Sequence, residues 1–175
     1  MQIEDLFNNF KKEVFRLELL NSYAEKSEHE QFQKFKEGKA IKPDKETKEF
    51  LRIIKKFSKE GKKVIRVHII PKRLTDYLRF EIKTGYIPQS KAGAQVYLMN
   101  CEDYKKLLQE GFKPNDFWLF DDNQVVELVY DKHGRFIKEK VIDKKYVKKY
   151  VALKEAILDN AIPLTIASFI NNNII

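Results

Sequence analysis

Asp116-Phe117-Trp118-Leu119-Phe120-Asp121-Asp122 opens the stretch that decides the fold. From here to Val141 the pattern has a period of two. Phe117 to Phe120, Val125 to Tyr130 and Phe136 to Val141 read as three strands. Asp122-Asn123 and Lys132-His133-Gly134 separate them, and both are turn signals. The three strands form an antiparallel meander. Along the first, Phe117 and Leu119 point one way and Trp118 and Phe120 the other. Both faces are apolar, as in a covered central strand. The aromatics are therefore read as core; a base-stacking platform would need them facing solvent.

Upstream the pattern alternates between helix and strand. Leu6, Phe7, Phe10, Val14 and Leu17 fall at three- and four-residue spacings, so the spacing predicts a helix over 3–20. Residues 21–42 are mixed, with Phe32 and Phe35 on a short amphipathic turn that ends at Gly38. Pro43 opens a helix whose buried face is Phe50, Leu51, Ile53, Ile54 and Phe57, with Gly61 as its stop. Val64, Ile65, Val67, Ile69 and Ile70 form a strand ended by Pro71. Helical spacing resumes over 74–87, and Gly85, Pro88 and Gly93 predict a loop. Residues 95–99 read as a second strand, and Cys101 to Leu108 as a short helix. Past the meander, Lys144 to about Asn160 is helical, and Pro163 precedes the apolar stretch Leu164 to Ile170.

The fold class is thus α+β: one mixed sheet of about five strands, with a C-terminal antiparallel meander, flanked by helices. The 175 residues fit a single domain, with 161–175 as an appended C-terminal segment. Cys101 is the only cysteine, so no intrachain disulfide forms, which suits a reducing cytoplasm. The opening MQIEDLFNNF has acids where a signal peptide carries Lys or Arg, and no stretch approaches the length of a membrane span. A cytoplasmic protein with no membrane partner is expected. The net charge of +8 admits a nucleic-acid partner, although the lysines are spread along the whole chain.

Several constellations could carry chemistry. Arg66 and His68 lie two apart and share one face of an otherwise apolar strand, so they need partners. Asp76, Arg79 and Glu81 follow on the next helix. This cluster reads either as a structural ion-pair network or as an anion site with Glu81 or Asp76 as orienter or base. Glu81-Ile82-Lys83 has the Glu-x-Lys form of metal-dependent nucleases, but the same form recurs at Glu37, Glu46 and Glu60. Asp121, Asp122, Glu127 and Asp131 are acids around two turns, and Asp121 at a strand end could meet Arg66 or Arg135. No metal site and no cofactor is assigned. Cys101 has only His68 as a plausible catalytic companion, and packing is the plainer reading. No phosphate-binding glycine motif is present.

Three blocks carry a resemblance. They are Phe15-Arg16-Leu17-Glu18 with Tyr23; Arg66-Val67-His68-Ile69-Ile70-Pro71 with Leu74-Thr75-Asp76-Tyr77-Leu78-Arg79-Phe80-Glu81; and the 116–122 block with Val125, Tyr130-Asp131 and Gly134-Arg135-Phe136. Together they resemble a bacterial domain-of-unknown-function family, number six-eight-seven-nine, over roughly residues 7–158. The resemblance implies a regulatory or conflict-system role beside helix-turn-helix regulators, hence a protein partner. It marks Arg66, Asp76, Tyr77, Arg79, Glu81 and Asp121 as recurring polar positions. The leading expectation is a non-catalytic regulatory or binding module, acting through a protein partner or through a small anionic ligand on Arg66 and Arg79. His68, Asp76, Tyr77 and Asp121 complete that expected ligand site. The alternative is a phosphodiester-cleaving effector, a nuclease-type toxin, with Glu81, Asp121 and His68 as candidate catalytic residues.

Overall fold

The computed structural model describes residues 3–24 and 26–165. The elements run α1 (Ile3–Asn9), β1 (Glu13–Glu18), α2 (Lys26–Lys36), α3 (Lys45–Lys59), β2 (Lys63–Ile70), α4 (Asp76–Glu81), a π-helical turn (Ile82–Tyr86) and α5 (Ile87–Ala92). They continue with β3 (Gln95–Asn100), α6 (Cys101–Leu107), β4 (Asp116–Phe120), β5 (Gln124–Tyr130), β6 (Phe136–Val141), α7 (Lys144–Asn160) and β7 (Ile162–Pro163). The architecture is α+β, with one mixed sheet flanked by helices. The sheet has seven strands among the described residues, in the order β6-β5-β4-β1-β2-β3-β7, rather than about five. β1, β2 and β3 are parallel to one another. β4, β5 and β6 add the antiparallel meander on the other side of β1.

The two extra strands are β1 and β7. β1 lies at the centre of the sheet, inside the span whose spacing predicts one helix over 3–20. Five of its six residues are buried, so its apolar residues do not alternate with polar ones. The apparent stripe is split in space. Leu6, Phe7, Phe10 and Val14 pack on one face of the sheet, and Leu17 packs on the other. β7 is a two-residue pairing against β3, and Leu164 continues it by donating its N–H to the Val96 carbonyl. Of the apolar stretch Leu164 to Ile170, only Leu164 and Thr165 belong to the described residues; the rest of the appended segment lies outside them.

The loop expected around Gly85, Pro88 and Gly93 is instead helical from Asp76 to Ala92. Pro88 has no N–H and crowds the preceding turn. The chain accommodates it through the π turn, in which the Ile87 N–H reaches back to the Ile82 carbonyl. Gly93 ends the run at φ 112°, where a Cβ would come within 2.5 Å of Ser58 Oγ on α3.

Two apolar layers sandwich the sheet. Phe15, Leu17, Ile65, Val67, Phe117 and Leu119 face α6 and α7, where Val147, Tyr150, Leu153 and Ile157 meet them. Val14, Val64, Val96, Trp118 and Phe120 face α1, α3 and the 76–92 run. A third cluster of Tyr23, Tyr77 and Phe80 gathers Phe32 and Phe35 of α2 beyond the C-terminal ends of β1 and β2. No helix among the described residues is long and apolar enough to cross a membrane.

Candidate functional site

On the face that carries Val14 and Val64, the side chains turn polar toward the strand ends. β1 runs Val14, Arg16, Glu18 on this face, and β2 runs Val64, Arg66, His68. The register pairs Arg16 with Arg66 and Glu18 with His68. Two arginines thus stand side by side on adjacent strands, at the ~4.8 Å inter-strand spacing. Antiparallel β4 sets Trp118 beside Arg16 and brings Asp116 to the same end. Trp118 lies under both cations: the Arg16 Cζ is 5.2 Å and the Arg66 Cζ 5.9 Å from its ring centroid.

Glu18 is the hinge of the charge network. Its Oε2 accepts from Arg66 Nη1 at 2.6 Å and lies 3.0 Å from the Tyr86 hydroxyl oxygen, and its Oε1 lies 3.6 Å from Arg16 Nε. Burial works against its charge. The guanidiniums of Arg66 and Arg16 outweigh burial and hold the carboxyl down at about 2. Asp116 has the opposite balance. Burial pushes it up to about 6, although Arg16 Nη2 at 3.2 Å and the Tyr23 hydroxyl both bond it. Glu81 lies beside Tyr86, whose hydroxyl is 3.1 Å away. Burial and the negative charges of Glu18 and Glu28 push its carboxyl well above the usual range.

His68 is fully buried. Its Nε2 lies 2.8 Å from the Leu20 carbonyl, which can only accept, so Nε2 carries the proton. Burial holds the ring below its usual pKa, and Nδ1 is then a neutral acceptor for the Tyr86 hydroxyl. Tyr86 reaches this position from the end of the π turn, so the insertion in the helix is what aims its hydroxyl at His68, Glu18 and Glu81.

The network opens on a cavity of about 820 Å³. The sheet contributes Arg16, Glu18, Arg66 and Tyr130, and the 76–92 run contributes Tyr77, Phe80, Glu81, Lys83 and Tyr86. The connection from α2 to α3 covers it with Lys39, Ala40, Ile41, Pro43 and Asp44. It lies beyond the carboxyl ends of β1 and β2. Here the chain leaves β1 over one face of the sheet through α2 and α3, and returns to β4 past the other face through α6. Two buried polar atoms among the described residues have no hydrogen-bond partner: the Tyr104 hydroxyl on α6 and, at this cavity, Arg16 Nη1, in a residue that is 4% exposed. Its Nη2 and Nε are engaged by Asp116, Tyr130 and Glu18.

Of the residues singled out in the sequence, Arg66, His68, Tyr77 and Glu81 come together here. Asp76 and Arg79 sit on α4 but do not line the cavity. Arg16, not Arg79, is the second arginine. Asp121 lies at the other end of β1, about 10 Å along the strand from the Arg16–Arg66 level. Its carboxylate accepts from the N–H groups of Lys11, Lys12 and Glu13. Burial opposes its charge, and those three donors hold it below the usual range all the same. The other acids are equally occupied. Asp122 bonds Lys154, Glu127 bonds Asn115 and Tyr150, and Asp131 closes its own turn with Arg135. Among the described residues no three His, Cys, Asp or Glu side chains gather as metal ligands. Cys101 packs on the α6–α7 side of the sheet, and His68 faces the other, so they are not companions.

Arg16, Glu18, Tyr23, Tyr86 and Asp116 are site residues that sequence reasoning missed. The signal was the shared spacing of Arg16-x-Glu18 and Arg66-x-His68, visible only once 13–18 is seen as a strand. The chain belongs to the family described as domain of unknown function (DUF6879), whose model matches residues 1–166. No curated protein matches the chain.

Proposed function

We propose that this protein is a non-catalytic binding module that takes a small anionic ligand in the cavity at the ends of β1 and β2, on Arg16 and Arg66. The observation that carries the reading is the unpartnered Nη1 of Arg16, buried in a side chain that lines the cavity. A buried donor without an acceptor costs about 1–3 kcal/mol, and more when it is charged. Folded proteins rarely leave such a group unsatisfied, and an anion in the cavity would complete it. Arg66 adds a second guanidinium at the same level, so a two-point contact is available. A regulatory role follows if occupancy of the cavity changes the surface offered to a protein partner.

The nuclease alternative draws no support from this arrangement. Burial disfavours the charged form of Glu81, which makes it a poor metal ligand, and Asp121 is committed to backbone donors far from the arginines. The test is thermal unfolding in a panel of small anions (acetate, sulfate, phosphate) for the wild type and for Arg16→Met. Anion-dependent stabilisation of the wild type that disappears in a folded Arg16→Met protein is expected. Equal stabilisation of both proteins would refute the site.

A further inference from the structure

The protein carries eight surplus positive charges, but the cavity does not share them. Its lining holds four cations (Arg16, Arg66, Lys39 and Lys83) and five carboxylates. The carboxylates are Glu18 on the sheet, Glu81 on the 76–92 run, whose charged form burial disfavours, and Glu28, Asp44 and Glu46 toward the α2–α3 side. Asp116, behind Arg16, adds a further acid. The lining as a whole therefore carries no positive surplus, and an anion is held only locally, by the two guanidiniums. A polyanion would meet Glu28, Asp44 and Glu46 as well, and these repel it.

The position of the arginines restricts the ligand further. Arg16 is 4% exposed, so only a terminal head group reaches it. A phosphodiester, which carries a substituent on each side of its charge, does not fit such an end. The rest of the lining mixes apolar and aromatic side chains, among them Tyr23, Ile41, Phe50, Tyr77, Phe80 and Tyr130, with the polar Gln31, Thr47, Thr84 and Gln89. The volume of about 820 Å³ is in the range of sites for organic molecules.

We infer that the ligand is an organic monocarboxylate with an apolar or aromatic body. The inference rests on the anion-site reading above. The carboxylate sits on Arg66 and on Arg16, whose Nη1 is buried in this structure and is reached by a shift of the side chains around it. Its two oxygens match the planar donor fork of a guanidinium. The body lies between Phe50 and the tyrosines, and no covalent step is involved.

The experiment is isothermal titration at pH 7.5 with phenylacetate, octanoate and indole-3-acetate as probes. Benzyl alcohol serves as the uncharged control, and phenyl phosphate and ATP as the multiply charged ones. At least one carboxylate should bind ten times more tightly than benzyl alcohol and than either phosphate. Arg16→Met should weaken that carboxylate at least tenfold, with circular dichroism confirming its fold. Arg16→Lys keeps the charge but loses the fork, and should weaken it about threefold or more; it carries the comparison if Arg16→Met does not fold. If phenyl phosphate or ATP binds more tightly and depends on Arg16, the monocarboxylate assignment is overturned while the anion site stands. The assignment is also overturned if phosphate stabilises the protein through Arg16 but none of the three carboxylates binds up to 10 mM. If every probe binds, or fails to bind, alike in wild type and both variants, the anion site falls with it.

Discussion

Replacing Glu18 by glutamine removes the one charge that holds two buried guanidiniums together. Glu18 is 5% exposed, and its carboxylate touches Arg66, Tyr86 and the Arg16 Nε. Its pKa lies at about 2 in the fold against 4.5 for the free side chain. At 1.36 kcal/mol per pH unit, that difference is worth about 3 kcal/mol at neutral pH. The sign follows from the direction. A depressed pKa gives stability that is fully present above pH 4.5 and is lost as the pH falls toward 2. Glu18→Gln loses this contribution at every pH and leaves Arg66 without its close partner. Removing one member of a buried pair costs about 3–5 kcal/mol. Urea unfolding at pH 7 should therefore show the variant less stable by about 3–5 kcal/mol. For a chain of this length that is a fall of roughly 6–20 °C in melting temperature. Between pH 4.5 and 2.5, the wild type should lose stability more steeply than the variant. A loss below about 1 kcal/mol at pH 7, or identical acid limbs, would refute the role assigned to Glu18.

Asp116 should show the opposite pH dependence. Its pKa is raised from 3.8 to about 6, so the folded state holds the proton more tightly. Its contribution is complete below pH 3.8 and is lost as the pH rises through 6, by about 3 kcal/mol. Arg16 and Glu18 from β1, Tyr23 from the loop after it, Tyr130 from β5 and Tyr104 from α6 all act on this carboxyl or on its cation. Asp116→Asn should flatten urea-derived stability between pH 4 and 6. Gly134→Ala tests how the cavity's Tyr23 is held. Gly134 has φ 77°, and a Cβ there would come within 2.6 Å of the Ser22 carbonyl oxygen. The Ala24 N–H also bonds the Gly134 carbonyl. The variant should lose about 2 kcal/mol in urea unfolding and weaken carboxylate binding by displacing Tyr23.

Much of the fold was legible. The meander was readable because strands β4 to β6 are separated by residues suited to left-handed or tight turns; Asp121 and Asp122 indeed have φ of 50° and 54°. Asp122 and Asn123 mark the turn, whereas Asp121 does more than close it: it fastens the start of β1. β2 was legible from its β-branched run. β1 was not, because it is covered on both faces and has a charged half, so its spacing mimics a helix. The π turn escaped for a related reason. Gly85 and Pro88 break an isolated helix, but here the Ile87 N–H finds the Ile82 carbonyl and the run continues to Gly93.

The site divides the same way. Arg66 and His68 were identifiable because charge on an apolar strand demands partners. Their partners come from positions far along the chain: Glu18, Tyr86 and Leu20. The choice of Arg79 over Arg16 came from proximity in sequence, whereas the register of β1 on β2 places Arg16 beside Arg66. By itself the sequence determined that this chain is α+β, that its aromatic block is core, and that Arg66 and His68 need company. Only the tertiary structure decided which charges meet, because strand register is set by pairing between distant segments. It also decided that one guanidinium nitrogen is left without a partner. That is a property of the whole enclosure around Arg16, and no local pattern of residues carries it.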